Sequence, residues 1–146
     1  GALVLGVTLE LHVAGFAERF ALTPMPVWVA IFGLVVLNVG ILGATWAQAV
    51  NRHFEPGVRI QSDREHAVID RGPYAFVRHP GYISGVLMLI GSAIALGSPW
   101  SLLPAIATIA VLALRTVLEE RALSTDLPGY ADNTRRILYR WVPRVW

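Results

Sequence analysis

The chain has 146 residues, 55% hydrophobic and 15% charged, where a soluble domain of this length carries about 25% charged residues. With no cysteine, disulfides, thiolate metal sites and a cysteine nucleophile are excluded. The formal net charge is +2, and the basic residues, all arginine, flank apolar blocks instead of forming one stripe, which argues against a nucleic-acid partner.

Four apolar blocks follow in chain order. The first, Ala2 to Ala17, is short and carries Glu10 and His12. Opening on Gly1, the chain is expected to lack its native start, and no signal peptide is identified. The second block, Val27 to Val50, begins after Thr23-Pro24-Met25-Pro26, a natural helix start, and is long enough to span. The third, from about Tyr82 to Leu96, is short of a full crossing. A Gly97-Ser98-Pro99 turn joins it to the fourth, Trp100 to Leu118, so the two are expected to form a helical hairpin. The expected fold is therefore all-α: a single integral membrane bundle over 1–146, with about four transmembrane helices.

Charge placement supplies an orientation. Arg52, Arg59, Arg64, Arg71 and Arg78 lie between blocks two and three, and Arg121, Arg135, Arg136, Arg140 and Arg144 follow block four. Four spans place both segments on one face, which the positive-inside rule makes cytoplasmic. The first of these segments holds a candidate short strand at 66–70 and a Gly72-Pro73 turn. The tail holds a Leu127-Pro128-Gly129 break, a short helix, and alternating arginines and aromatics suited to a headgroup zone.

The residues with chemistry cluster around these segments. Pro80 lacks an N–H and suits a first helical turn, so Arg78 and His79 should sit just before a helix N-terminus, where unpaired N–H groups favour an anionic or polar ligand group. An ordinary snorkelling arginine and interfacial histidine would look the same. Gly81, Gly85 and Gly91 continue a small-residue pattern that suits close helix packing. In Arg115-Thr116-Val117-Leu118-Glu119-Glu120-Arg121, Arg115 and Glu119 are i,i+4 neighbours and suit a salt bridge. Glu120 lies about 140° round the helix from Arg115 and must serve another partner. Ionisable groups near a membrane read as functional. Glu10 and His12 do not share a helix face and read as membrane-edge or bundle-interior residues. His53 and His66 have no ligand spacing with His79, so no metal site is expected. There is no dinucleotide fingerprint and no P-loop.

Gly72-Pro73-Tyr74, Arg78-His79-Pro80-x-Tyr82, Arg115 with Glu119-Glu120, Leu127-Pro128-Gly129-Tyr130 and Arg140-x-x-Pro143 form an ordered set. Together they resemble the isoprenylcysteine carboxyl methyltransferase and phospholipid methyltransferase family of integral membrane enzymes, over about residues 66–146. The resemblance implies a helical bundle whose C-terminal half encloses S-adenosylmethionine at the cytoplasmic side, while a lipophilic or prenylated substrate enters from membrane lipid. It implies a cofactor pocket of Tyr74, Arg78, His79, Pro80, Tyr82, Glu119 and Tyr130, with Arg115 and Glu120 as the catalytic pair near the reacting groups. Asn133 departs from the pattern, standing where many relatives have a second aromatic. An all-arginine basic complement suggests a bacterial inner membrane. Two other readings stay open: an NADPH-dependent membrane reductase of sterol or enone lipids, and a non-catalytic membrane subunit.

Overall fold

The structure, a computed structural model, describes residues 1–20, 25–51 and 69–146. Helix α1 covers Ala2–Arg19, α2 Val27–Val50, α3 Pro80–Ala95, α4 Leu102–Asp126 and α5 Tyr130–Arg136, with 3₁₀ turns at Gly72–Ala75 and Pro99–Ser101. The four apolar blocks thus become α1 to α4, and α4 runs past Leu118 through the charged segment to Asp126. No strand occurs among the described residues. Of the candidate strand at 66–70, Ile69 and Asp70 are irregular and the remainder lies outside the described residues. Thr23, Pro24, Arg52, His53, Arg59, Arg64 and His66 lie outside them too.

Among the described residues two helices are long and apolar enough to cross a membrane, Val27–Val50 and the stretch Pro99–Asp126. With 18 and 16 residues, α1 and α3 are about 27 and 24 Å long at the usual helical rise, short of a hydrocarbon core about 30 Å thick. Large apolar side chains face outward along α2 (Trp28, Ile31, Phe32, Val35) and α4 (Leu103, Ile106, Val111, Leu114). A surface this apolar is costly in water and suits lipid, where helices satisfy their own backbone groups.

Lipid offers helices no hydrophobic reason to associate, so close van der Waals contact must hold them together. Glycines supply it between α2 and α3. A Cβ on Gly91 would stand 2.3 Å from the Leu37 backbone nitrogen, and one on Gly33 2.4 Å from that of Ala95. Gly91 of the α3 small-residue pattern therefore meets Gly33 and Leu37 of α2, while Gly85 faces Leu3 of α1. Helix α1 lies against α4 and α3, with Gly6 facing Thr108 and Leu89. Glu10 is fully buried. Ser92 Oγ donates to its carboxylate, and Ser101 Oγ donates to its backbone carbonyl at 3.3 Å. His12 is exposed, its Nδ1 2.7 Å from the Thr8 carbonyl. The central cluster of Leu89, Ala93, Ala105 and Leu112 includes one residue from the tail, Trp141.

Candidate functional site

Three segments meet where α3 begins and α4 ends. The first enters through Gly72, whose φ of +59° suits a residue without a side chain. Pro73 then opens a 3₁₀ turn that buries Tyr74. Asn51, at the end of α2, donates from Nδ2 to the Tyr74 hydroxyl at 3.2 Å and so ties this turn to the bundle. Val77 is buried, Arg78 and His79 follow, and Pro80 occupies the first turn of α3, where its missing N–H costs nothing.

The second segment is the charged C-terminal end of α4. Its two adjacent carboxylates point about 100° apart round the helix and serve different partners. Glu119 Oε2 accepts from the Tyr82 hydroxyl at 2.5 Å. Glu120 Oε1 accepts from Arg78 Nε at 2.6 Å and from His79 Nε2 at 3.2 Å, while its Oε2 accepts from Arg140 Nε at 2.6 Å. Arg115 acts on the Tyr82 hydroxyl both electrostatically and by hydrogen bonding.

The third segment is the tail. Its Tyr139 and Arg140 carbonyls accept from the Arg78 and His79 backbone N–H groups, both at 2.9 Å. Arg78 Nη1 donates to the Ile137 and Leu138 carbonyls at 2.6 and 2.9 Å. The Arg140 guanidinium carbon sits 5.1 Å from the Trp146 ring centroid. Trp141 is buried, stacks on Tyr82 with ring centroids 6.0 Å apart, and donates its indole N–H to Thr116 Oγ1 at 3.0 Å. Gly129, at φ +82°, turns the chain into α5. There Tyr130 and Asn133 lie one turn apart and both are buried. The Tyr130 phenol feels the charges of Glu120, Arg78 and Glu119, and burial first, then Glu120, pushes its pKa well above the usual tyrosine value. Burial also raises the Tyr74 phenol, with the Asn51 bond opposing it. Both groups therefore stay neutral at ordinary pH.

Arg78, His79, Tyr82, Glu119 and Glu120, all singled out in the sequence, form one network with Arg115 beside it and Tyr130 within its field. Tyr74 and Pro80 shape the backbone that presents it. Glu120 does find a partner other than Arg115, namely a pair of arginines and a histidine. Arg78, expected in the cofactor pocket, spends its guanidinium on Glu120 and the tail. Four residues gain positions that their sequence context did not reveal: Arg140, Trp141, Thr116 and Asn133. Trp141 looked like a headgroup anchor but lies in the core, because its indole N–H has a buried acceptor there.

S-adenosylmethionine fits these residues chemically. It is a cationic sulfonium carrying an amine, a carboxylate and ribose hydroxyls. Glu119 offers negative charge, and Tyr82, hydrogen-bonded to it, offers an aromatic ring. Asn133 Oδ1 is a buried polar atom with no hydrogen-bond partner among the described residues, free to receive a polar group of a ligand, and the Tyr130 hydroxyl lies buried beside Arg78.

Comparison with known proteins points the same way. The sequence profile of the phospholipid methyltransferase family matches residues 28–127. Two Arabidopsis thaliana proteins, Protein-S-isoprenylcysteine O-methyltransferase A and B, are each 29% identical over 75 residues, which is 51% of this chain. The match spans 38% of the length of either relative.

Proposed function

The chain belongs to the phospholipid methyltransferase family, and from that premise we propose that it transfers a methyl group from S-adenosylmethionine to a lipophilic acceptor at the cytoplasmic face of a membrane. When bound, S-adenosylmethionine supplies a methyl group already activated by its sulfonium. The chain's own work is then to bind, orient and dehydrate the reactants. His79, Tyr82, Glu119 and Tyr130 hold the cofactor, with Tyr74, Arg78 and Pro80 setting the loop that carries them. Arg115 and Glu120 border the reacting groups. A carboxylate acceptor, as on a prenylated cysteine of the kind the two relatives' names specify, needs no base and is held by Arg115. A lipid amine acceptor must lose a proton. Glu119 is the carboxylate to take it, because both oxygens of Glu120 are already bonded to guanidinium groups.

The single observation behind this reading is the convergence of Tyr82 with Glu119 and of His79 with Glu120 at the start of α3. The bundle around it is taken as one domain with four spans, the bilayer thinning locally where the short α1 and α3 cross. Both chain ends then face the cytoplasm, in a bacterial inner membrane.

Isothermal titration of S-adenosylhomocysteine into detergent-purified protein tests the proposal. Micromolar binding by wild type is expected, weakened at least about tenfold in His79→Ala, the cost of one or two lost hydrogen bonds. A folded wild type that binds NADPH and not S-adenosylhomocysteine overturns it in favour of a reductase.

A further inference from the structure

Glu120 accepts from three side chains, and its position leaves it little freedom. Arg78 holds one oxygen through Nε and is itself anchored by Nη1 on the Ile137 and Leu138 carbonyls. Arg140 holds the other oxygen and rests on the Trp146 ring. Two guanidinium groups therefore fix a carboxylate that is 8% exposed. The third partner is His79 Nε2, 3.2 Å from Oε1. The ring is buried beside Tyr82, with centroids 5.6 Å apart, and the His79 backbone N–H is bonded to the Arg140 carbonyl.

A neutral imidazole carries one N–H and one lone pair, and which nitrogen holds the proton follows from its partners. A carboxylate accepts and cannot donate, so the nitrogen facing Glu120 must be the N–H. In a neutral ring the lone pair is then on Nδ1, which makes no hydrogen bond among the described residues. We propose that Glu120 is a positioning residue that fixes His79 as its Nε2–H tautomer, so that His79 receives a hydrogen-bond donor of the cofactor, a hydroxyl or amine hydrogen, at Nδ1. Arg78 and Arg140 act one step further back: they hold Glu120 and do not touch the ligand. This rests on the methyl-transfer reading above for the identity of the ligand, while the tautomer follows from the protein alone. The logic is that of a carboxylate behind a metal-bound or catalytic histidine, where the outer partner sets which ring nitrogen is offered.

The test is a long-range proton–nitrogen correlation spectrum of histidine-labelled protein in detergent, with and without S-adenosylhomocysteine. The chain has four histidines, and the His79 signals are identified by their loss in His79→Asn. Wild type should show a protonated Nε2 and a lone-pair Nδ1, and Nδ1 should shift when S-adenosylhomocysteine is added. In Glu120→Gln, whose amide can donate as well as accept, the two tautomers should mix. Side-chain replacement gives an independent readout. His79→Asn places an acceptor near the Nδ1 position and should keep S-adenosylhomocysteine affinity within about fivefold of wild type. His79→Gln, which reaches only the Nε2 position, should lose about tenfold or more, the equivalent of a hydrogen bond. A protonated Nδ1 in wild type, a doubly protonated ring, or an Nδ1 signal unmoved while S-adenosylhomocysteine binds overturns the proposal. An Nε2–H ring in a protein that binds no S-adenosylhomocysteine upholds the tautomer assignment and overturns the methyltransferase reading instead.

Discussion

Glu120 stands between two guanidinium groups of unequal exposure, the Arg78 side chain at 7% and that of Arg140 at 33%. Removing the carboxylate leaves the buried Arg78 guanidinium bonded to the Ile137 and Leu138 carbonyls but without its ion-pair partner. Glu120→Ala should therefore cost about 3–5 kcal/mol, as when one partner of a buried ion pair is deleted, read as a lowered unfolding midpoint in detergent. The exposed pair of Arg136 with Asp70 offers the contrast. At 2.7 Å it is as short as the buried contacts, but its side chains are 68% and 44% exposed. Asp70→Asn should change the same midpoint by less than about 1 kcal/mol, because water and salt screen the charge. If the two variants behave alike, burial is not what sets the difference. The sequence made half of this visible. Helical geometry separates Glu119 from Glu120 and shows that they cannot share a partner. It does not show that Arg140, twenty positions later, completes the second site, since nothing local links them.

Helix pairing depends on glycines whose partners lie on another helix. The small residues Gly81, Gly85 and Gly91 suggest close packing on α3 from sequence alone; Gly91 finds it against α2 and Gly85 against Leu3 of α1. That Gly33 and Gly40 of α2 form the facing surface was not legible, because a sequence read one helix at a time does not give the register between two. Gly91→Val should break this contact, since even a Cβ would stand 2.3 Å from the Leu37 nitrogen. The expected cost exceeds about 3 kcal/mol, beyond ordinary overpacking, and should appear as loss of a monodisperse detergent-purified species. Gly15→Ala in α1 is the control. A Cβ there meets nothing within 4 Å, and the substitution should leave the midpoint unchanged or raise it by up to about 1 kcal/mol. Trp141 teaches the opposite lesson. Its sequence neighbourhood of arginines and aromatics suited a membrane surface, but Thr116 supplies a buried acceptor for its indole N–H, so its large ring fills the core.

At the scale of the molecule, each apolar block became a helix and α2 coincides with its block, but α4 runs eight residues beyond its block into charged sequence. Which of them cross a bilayer depends on the surrounding lipid as well as on the chain. Because the chain has no cysteine, single substitutions report this cleanly. Trp100 lies in the 3₁₀ turn before α4 and Arg135 beyond its end, separated by a helix of 25 residues, about 37 Å at the usual rise. In intact bacterial cells whose outer membrane has been permeabilised, an impermeant maleimide should label Trp100→Cys. It should label Arg135→Cys only after the inner membrane is opened. The reverse pattern inverts the orientation. Timing during synthesis follows from the same architecture. Arg78 meets partners 59 and 60 positions later, so each span can enter the bilayer as it leaves the ribosome, but the pocket stays unbuilt until the tail emerges. A ribosome stalled after α4 would thus leave an inserted, inactive bundle, and competence to bind a ligand would arrive in one late step with closure of these longest loops.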